Sequence, residues 1–384
     1  MSASKWKIGA LIVGLSAILS RVLGLGRDVL LARTAGLGPE VDAYNLAFLL
    51  PDLLNHFTGA GLLSVTLIPL LSKSLKNNDF DEAVRKLNAI LLPIFALSAM
   101  GCVILFLGME KILPYFVQKM PTVHVFELAV YYSRIVLFAQ LAFLIGGFFN
   151  ALQYGSYRYW LPAMAPLVYN TSILIGGGIG AQFGRVEGFC WGVLVGAFLG
   201  NAGLQIFGAL KMGWRLNWSW DFAIFKTYLW RTLPFILGVS AIFSNEFAYR
   251  YFGISTPGDS AALGFALRIG SALSGVLGGA LGIAIYPKIS EMCAEGKYKE
   301  AGQLMLGAVE RLIWGMLPAA AILSVLAKPL SLGILGGGAF GLEEAERVAL
   351  PMTLYLIQAI PVTLVLLSSR MWFADGKTWF PSLV

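Results

Sequence analysis

Ten apolar stretches constrain this chain more than any other feature, and each is long enough to cross a bilayer. They run approximately over residues 8–33, 41–72, 86–116, 125–152, 159–182, 187–210, 222–250, 259–287, 302–330 and 346–373, and an eleventh begins before Val384. A hydrocarbon core needs about 20 residues of helix, and its lack of water requires every backbone polar group to be paired within the segment. Strands would need a closed barrel of alternating pattern, whereas stretches such as 91–107 and 136–149 are apolar all round. With 58% hydrophobic and only 13% charged residues, the chain reads as an all-α polytopic membrane protein rather than a soluble fold.

Lys5 and Lys7 followed by apolar residues 8–19 look like the start of a signal peptide. However, Ser20-Arg21 stands where a small-residue cleavage site belongs, and the apolar pattern resumes. An uncleaved first span is therefore expected. Cys102, Cys190 and Cys293 are far apart with no CxxC pair, and His56 and His124 have no ligand spacing. Neither disulfide, metal nor other cofactor is expected.

Loops after even-numbered spans hold most of the basic residues, among them Lys73, Lys76, Arg85, Lys86, Arg158, Lys211, Arg215, Lys288, Lys297 and Lys299. Loops after odd-numbered spans hold fewer, counted here as Arg33, Lys111, Lys119, Arg185, Arg250, Lys328 and Arg347. The positive-inside rule then predicts a cytoplasmic N-terminus. It also accounts for the net charge of +7 through topology and anionic membrane lipids, with no nucleic acid involved.

An internal repeat is visible. Ile68-Pro69-Leu-Leu-Ser72 recurs as Tyr286-Pro287-Lys-Ile-Ser290, 218 positions later, and each copy leads through a polar linker to Glu82-Ala83 or Glu300-Ala301. A unit of six spans, an even number, predicts two lobes related by an axis along the membrane normal, with a substrate path between them. The lobes are expected at residues 1–215 and 216–384, the second with four spans and the start of another.

Charges inside apolar sequence are costly and mark candidate sites. Positions about seven apart nearly eclipse on a helix, so Gly14, Arg21 and Asp28 form one stripe with Gly24 beside it, and Arg27 lies off that stripe. Arg268 shares a stripe with Ser271, Gly275, Gly279 and Gly282, which reads either as a packing seam or as a cavity wall. The second span contributes Asp42, Asn45, a break at Pro51-Asp52, then Asn55 and His56. Ordinary ion pairing accounts for several charges equally well: Arg27 with Asp28, Arg21 with Asp42, and Glu246 with Arg250 one turn along. Glu246 also reads as a coupling-ion site, Glu310-Arg311 as buried charge in the ninth span, and Arg134 as either an interfacial residue or a cavity wall.

Ser20-Arg21-Val-Leu-Gly-Leu-Gly-Arg27-Asp28, then Asp42-Ala43-Tyr44-x-x-Ala47-Phe48-x-x-Pro51, and later Gly275-Val-Leu-Gly278-x-Ala280-Leu-Gly282 with Pro287 and Ser290, resemble the MurJ (MviN) lipid II flippases. These belong to the superfamily of multidrug, oligosaccharidyl-lipid and polysaccharide exporters. The resemblance implies a V-shaped, two-lobed bundle in the bacterial cytoplasmic membrane, acting as a monomer. Its central cationic cavity would flip lipid II, the undecaprenyl-pyrophosphate-linked peptidoglycan precursor, from the cytoplasmic to the outer leaflet. It also implies cavity roles for Arg21, Arg27, Asp28, Asp42 and Arg268, and arginine's planar fork suits pyrophosphate oxygens. Two departures stand out. Asn55 and His56 occupy positions where the family usually carries a basic pair, and the chain ends before the family's last spans, so an incomplete second lobe is expected.

Alternatives are a flippase for another undecaprenyl-linked oligosaccharide, or a drug or cation exporter of the same superfamily. An acid-lined cavity would favour cation export, whereas the buried charges here include three Arg. A membrane enzyme would need a metal-binding acidic motif or a general base in a sizeable aqueous loop, and the loops are short.

Overall fold

The computed structural model describes residues 3–58, 63–77, 79–117, 122–218, 220–252, 256–278, 285, 288–289, 291–293 and 295–374. Helices dominate this region: α1 (Ala3–Ala35), α2 (Pro39–Ala47), α3 (Leu49–Thr58), α4 (Leu63–Lys76), α5 (Phe80–Ile112), α6 (Val123–Leu137), α7 (Ala139–Gly155), α8 (Trp160–Ala181), α9 (Glu187–Gly196), α10 (Leu204–Lys211), α11 (Phe222–Phe252), α12 (Asp259–Leu273), α13 (Tyr298–Val325), α14 (Ala327–Leu335) and α15 (Leu342–Ala374). Among the described residues, five helical stretches are long and apolar enough to cross a membrane. Apolar side chains cover the outside, with Trp314 at 80% and Val325 at 83% exposure, a surface that suits lipid rather than water.

Local chemistry explains the helix ends. Gly36 takes a left-handed φ of 58° and its N–H bonds Ala32 O at 2.7 Å, closing α1 as a glycine after the last turn does. Pro39 opens α2 at a position where its missing N–H costs nothing. The Asp79 carboxylate accepts Glu82 N at 2.9 Å, capping α5 at the Glu82 linker that the repeat singled out. Its counterpart Glu300 falls in the first turn of α13, whereas Gly279, Gly282, Tyr286, Pro287 and Ser290 lie outside the described residues.

The break in the second span falls at Phe48, upstream of the expected Pro51-Asp52. A proline ring clashes with the carbonyl four residues earlier and offers no N–H to it, so the discontinuity precedes the proline. Pro329 acts in the same way on the ninth span, which divides at Leu326. Glu310 and Arg311, expected to be buried, lie on the exposed face of α13.

α8 and α9 pack against one another, and α1 packs along α8. The α8–α9 seam is built from Gly176 and Gly180 opposite Gly188 and Gly192, whose backbones touch directly, the close approach that small-xxx-small spacing permits. A Cβ on Gly188 would collide with the Gly176 carbonyl. Gly188→Leu is therefore expected to cost at least about 2 kcal/mol by overpacking, seen as a lowered thermal midpoint of the purified protein. An unchanged midpoint would show that the seam yields.

In the C-terminal half α12 and α13 both pack on α15. The two halves of the sequence meet where α2 contacts α12, where α1 contacts α14, and where α11 contacts α3, α4 and α5. At the second junction Arg33 Nε donates to Gly336 O at 2.9 Å and Ala339 N donates to Arg33 O at 2.9 Å, so the turn after α14 caps the end of α1.

Candidate functional site

The Ser20–Asp28 motif lies in the middle of α1 and divides its contacts between two neighbours. Ser20 Oγ accepts from Asn170 Nδ2 of α8 at 2.9 Å, anchoring α1 to its own half of the chain. Arg21, one residue on and about 100° round the helix, is exposed, and its guanidinium lies so close to Gly275 that a Cβ there would sit 2.7 Å from Nη1. The Arg268, Ser271, Gly275 stripe thus faces α1, and the missing side chain at Gly275 is what leaves room for Arg21.

Two turns further along α1, Asp28 takes bonds from both halves. Arg27 reaches it through Nε at 3.1 Å and Nη2 at 3.0 Å, and Arg268 of α12 approaches through Nη1 at 3.4 Å. Arg268 Nη2 also donates to Asn45 Oδ1 at 2.9 Å, and Asn45 Nδ2 donates to Ser260 O at 3.1 Å. Arg268 has no acid within a turn on its own helix, and its counter-ion comes from 240 positions away. A buried carboxylate is tolerable only when it is paired, and here two guanidinium groups share one.

Arg27 and Arg268 line a cavity of about 210 Å³ together with Tyr44, Phe48, Tyr249, Arg250, Gly264, Leu267 and Ser271. Sequence reading missed Arg250 as a site residue, placing it in a loop or beside Glu246. Instead, α11 continues to Phe252, which keeps Arg250 inside the bundle. Its Nη1 donates to Asp52 Oδ2 of α3 at 2.9 Å and its Nε to Tyr249 Oη at 3.1 Å. The side chain of Glu246 lies outside the described residues.

Asp42 needs a correction. Its exposure is 0%, and its two oxygens accept the backbone N–H groups of Gly258 at 2.5 Å and Ala261 at 2.8 Å. Those groups belong to the first turn of α12, where helical N–H donors lack intrahelical partners. The carboxylate therefore caps a helix in the other half of the chain and does not face the cavity. Neither does it pair with Arg21.

Four further candidates have their own surroundings. Pro51 is buried in the first turn of α3. Asn55 Nδ2 donates to Gln140 Oε1 at 2.6 Å, joining α3 to α7, and His56 bonds the backbone of Ile236 on α11. Arg134 bonds Phe106 O at 3.2 Å and Glu110 Oε1 at 3.0 Å, bracing α6 against α5 away from the arginine cavity.

Comparison with known proteins agrees with this architecture. The model of the family described as "Lipid II flippase MurJ" matches residues 31–384. A probable lipid II flippase MurJ of Bdellovibrio bacteriovorus is 26% identical, the alignment covering 98% of this chain and 73% of the relative. One from Thermotoga maritima is 24% identical, covering 97% and 75%. One from Rhizobium tropici is 23% identical, covering 88% and 65%. The chain thus spans about two thirds to three quarters of the length of these relatives.

Two solved structures share the fold. A lipid II flippase MurJ in an inward closed conformation superposes with a TM-score of 0.81 at 17% identity, covering 97% of this chain and 78% of the other. An inward-facing multidrug resistance transporter of the MATE family gives 0.72 at 16%, covering 95% and 83%. The chain is a multi-pass membrane protein with a transporter fold, and it belongs to the lipid II flippase MurJ family.

Proposed function

We propose that this chain, in the cytoplasmic membrane of a bacterium and with its N-terminus in the cytoplasm, flips lipid II by alternating access between two lobes, residues 1–215 and 216–384. The observation that carries the reading is the junction of Arg27, Asp28 and Arg268. A single carboxylate there holds cations from both lobes, so an anionic headgroup can replace it as the shared counter-ion. Arginine forks bind phosphate oxygens in pairs and keep their charge when desolvated.

The contacts toward the C-terminal end of α1 close one side of the gap. Asp42 on the first turn of α12, Asn45 on Ser260, and the Arg33 junction all join the two halves there. With the N-terminus inside, that is the outer side, so this conformation would admit substrate from the cytoplasm. A headgroup bound between the lobes drives opening only to the extent that it binds the outward-open state more tightly. Taking over the counter-ion role of Asp28 is a way to supply that difference.

The test is direct. The chain reconstituted in vesicles with fluorescent lipid II should bring the headgroup within reach of an impermeant quencher on the far side, and protein-free vesicles of the same lipids should not. Transport of an undecaprenyl-linked glycan lacking the peptide at an equal rate would move the assignment to another polyprenyl-linked saccharide. Asn55, neutral and bonded to Gln140 at a position where the resemblance leads one to expect a cation, makes that second substrate the one to compare.

A further inference from the structure

We propose that Arg250 is a third phosphate-binding group, and that together with Arg27 and Arg268 it makes this cavity select a diphosphate over a monophosphate. The proposal rests on the anionic-lipid reading above and names the chemistry that the site recognises. Three guanidinium groups from three helices, α1, α11 and α12, line one cavity of about 210 Å³. Two carboxylates in the cluster hold them, and they do so separately. Asp28 sits between Arg27 and Arg268, while Asp52 bonds Arg250 at 2.9 Å.

A carboxylate on an arginine fork occupies the place that a phosphate oxygen would take. The cavity therefore presents two oxyanion positions, one between Arg27 and Arg268 and one on Arg250. A ligand with two linked oxyanion centres offers one to each position, whereas a monophosphate offers only one. The second position is also built for exchange. The Asp52 side chain keeps 28% of its surface exposed against 9% for Asp28, so Asp52 can turn toward solvent. Arg250 meanwhile stays in place through its Nε bond to Tyr249 Oη at 3.1 Å and its position over that ring, 5.5 Å from the centroid.

Arg250 thus brings from α11 a cation that α3 does not supply at Asn55. Its side chain is only 7% exposed. Desolvation on that scale strengthens a charge-assisted bond and makes discrimination by phosphate count effective.

Binding of undecaprenyl diphosphate and undecaprenyl monophosphate to the purified full chain in nanodiscs tests this, with calorimetric titration as the readout. The wild type is expected to prefer the diphosphate by about tenfold or more, the size of one good charge-assisted contact. Arg250→Gln should cut the ratio of diphosphate to monophosphate affinity by about tenfold, and Arg268→Gln should weaken both lipids. Where Arg250→Gln takes the guanidinium partner from Asp52 and the protein unfolds, the Asp52→Asn/Arg250→Gln double variant, which removes both charges together, gives the same reading. Retention of the diphosphate preference in Arg250→Gln or in the double variant, with Arg268→Gln still weakening both lipids, overturns this proposal alone. A wild type that binds neither lipid overturns the anionic-lipid reading itself.

Discussion

Arg268→Ala in the full chain is expected to abolish rescue of cells depleted of their own lipid II flippase, with protein levels close to wild type. The fold should survive because Asp28 keeps both of its bonds from Arg27 and Asn45 keeps its bond to Ser260, so no buried charge is stranded. The site, by contrast, loses its only described guanidinium from α12. Two charge-assisted bonds of about 1.5–3 kcal/mol each correspond to at least about a hundredfold loss of affinity for an anionic headgroup. Arg268→Lys should fall between the two, because the ammonium keeps the charge but not the fork that spans Asp28 and Asn45. Arg27→Ala should match Arg268→Ala in rescue. Full rescue by both alanine variants would overturn the cationic-cavity mechanism, while loss of the protein from the membrane would reassign Arg268 to folding.

The sequence carried much of this arrangement, though not its pairings. Composition and the ten apolar stretches led to a helical membrane bundle, and period arguments put Arg21 and Asp28 on one face of α1 and Arg268 in one stripe with Ser271 and Gly275. Periodicity describes one helix at a time, so it could not bring Asp28 and Arg268 together across 240 positions. Arg250 was missed for a related reason: an arginine at the end of an apolar stretch looks like a loop cation until α11 is seen to continue past it to Phe252.

Asp42 resembled Asp28 in the sequence, each an acid near one end of an apolar stretch. Only the placement of α12 shows that one caps backbone and the other pairs with arginine. Other features were legible and went unread. The spacing Gly176, Gly180 and Gly188, Gly192 signals close helix packing, and Pro51 and Pro329 locate a break once its upstream direction is taken into account.

Asp42→Ala is expected to open the seal at the proposed outer end of the gap. The variant leaves the N–H groups of Gly258 and Ala261 without their acceptor and removes a negative charge from the positive end of α12. Each stranded donor costs about 1–3 kcal/mol, and the lost helix-end interaction adds about 0.3–1 kcal/mol. The conformation in which these donors are buried should therefore lose about 2–7 kcal/mol relative to one in which water reaches them, enough to shift a two-state equilibrium by at least about thirtyfold. A Ser260→Cys reporter reads this shift. Ser260 has 0% exposure here, and the natural Cys102, Cys190 and Cys293 are all buried, so background labelling by an impermeant maleimide should be low. Labelling of Ser260→Cys from outside should rise sharply when Asp42→Ala is added and only partly with Asp42→Asn, whose amide oxygen still accepts one of the two bonds. Unchanged labelling in both backgrounds, with the protein folded, would show that the lobes are held together elsewhere. A rise from the cytoplasmic side alone would reverse the proposed orientation of the closed end.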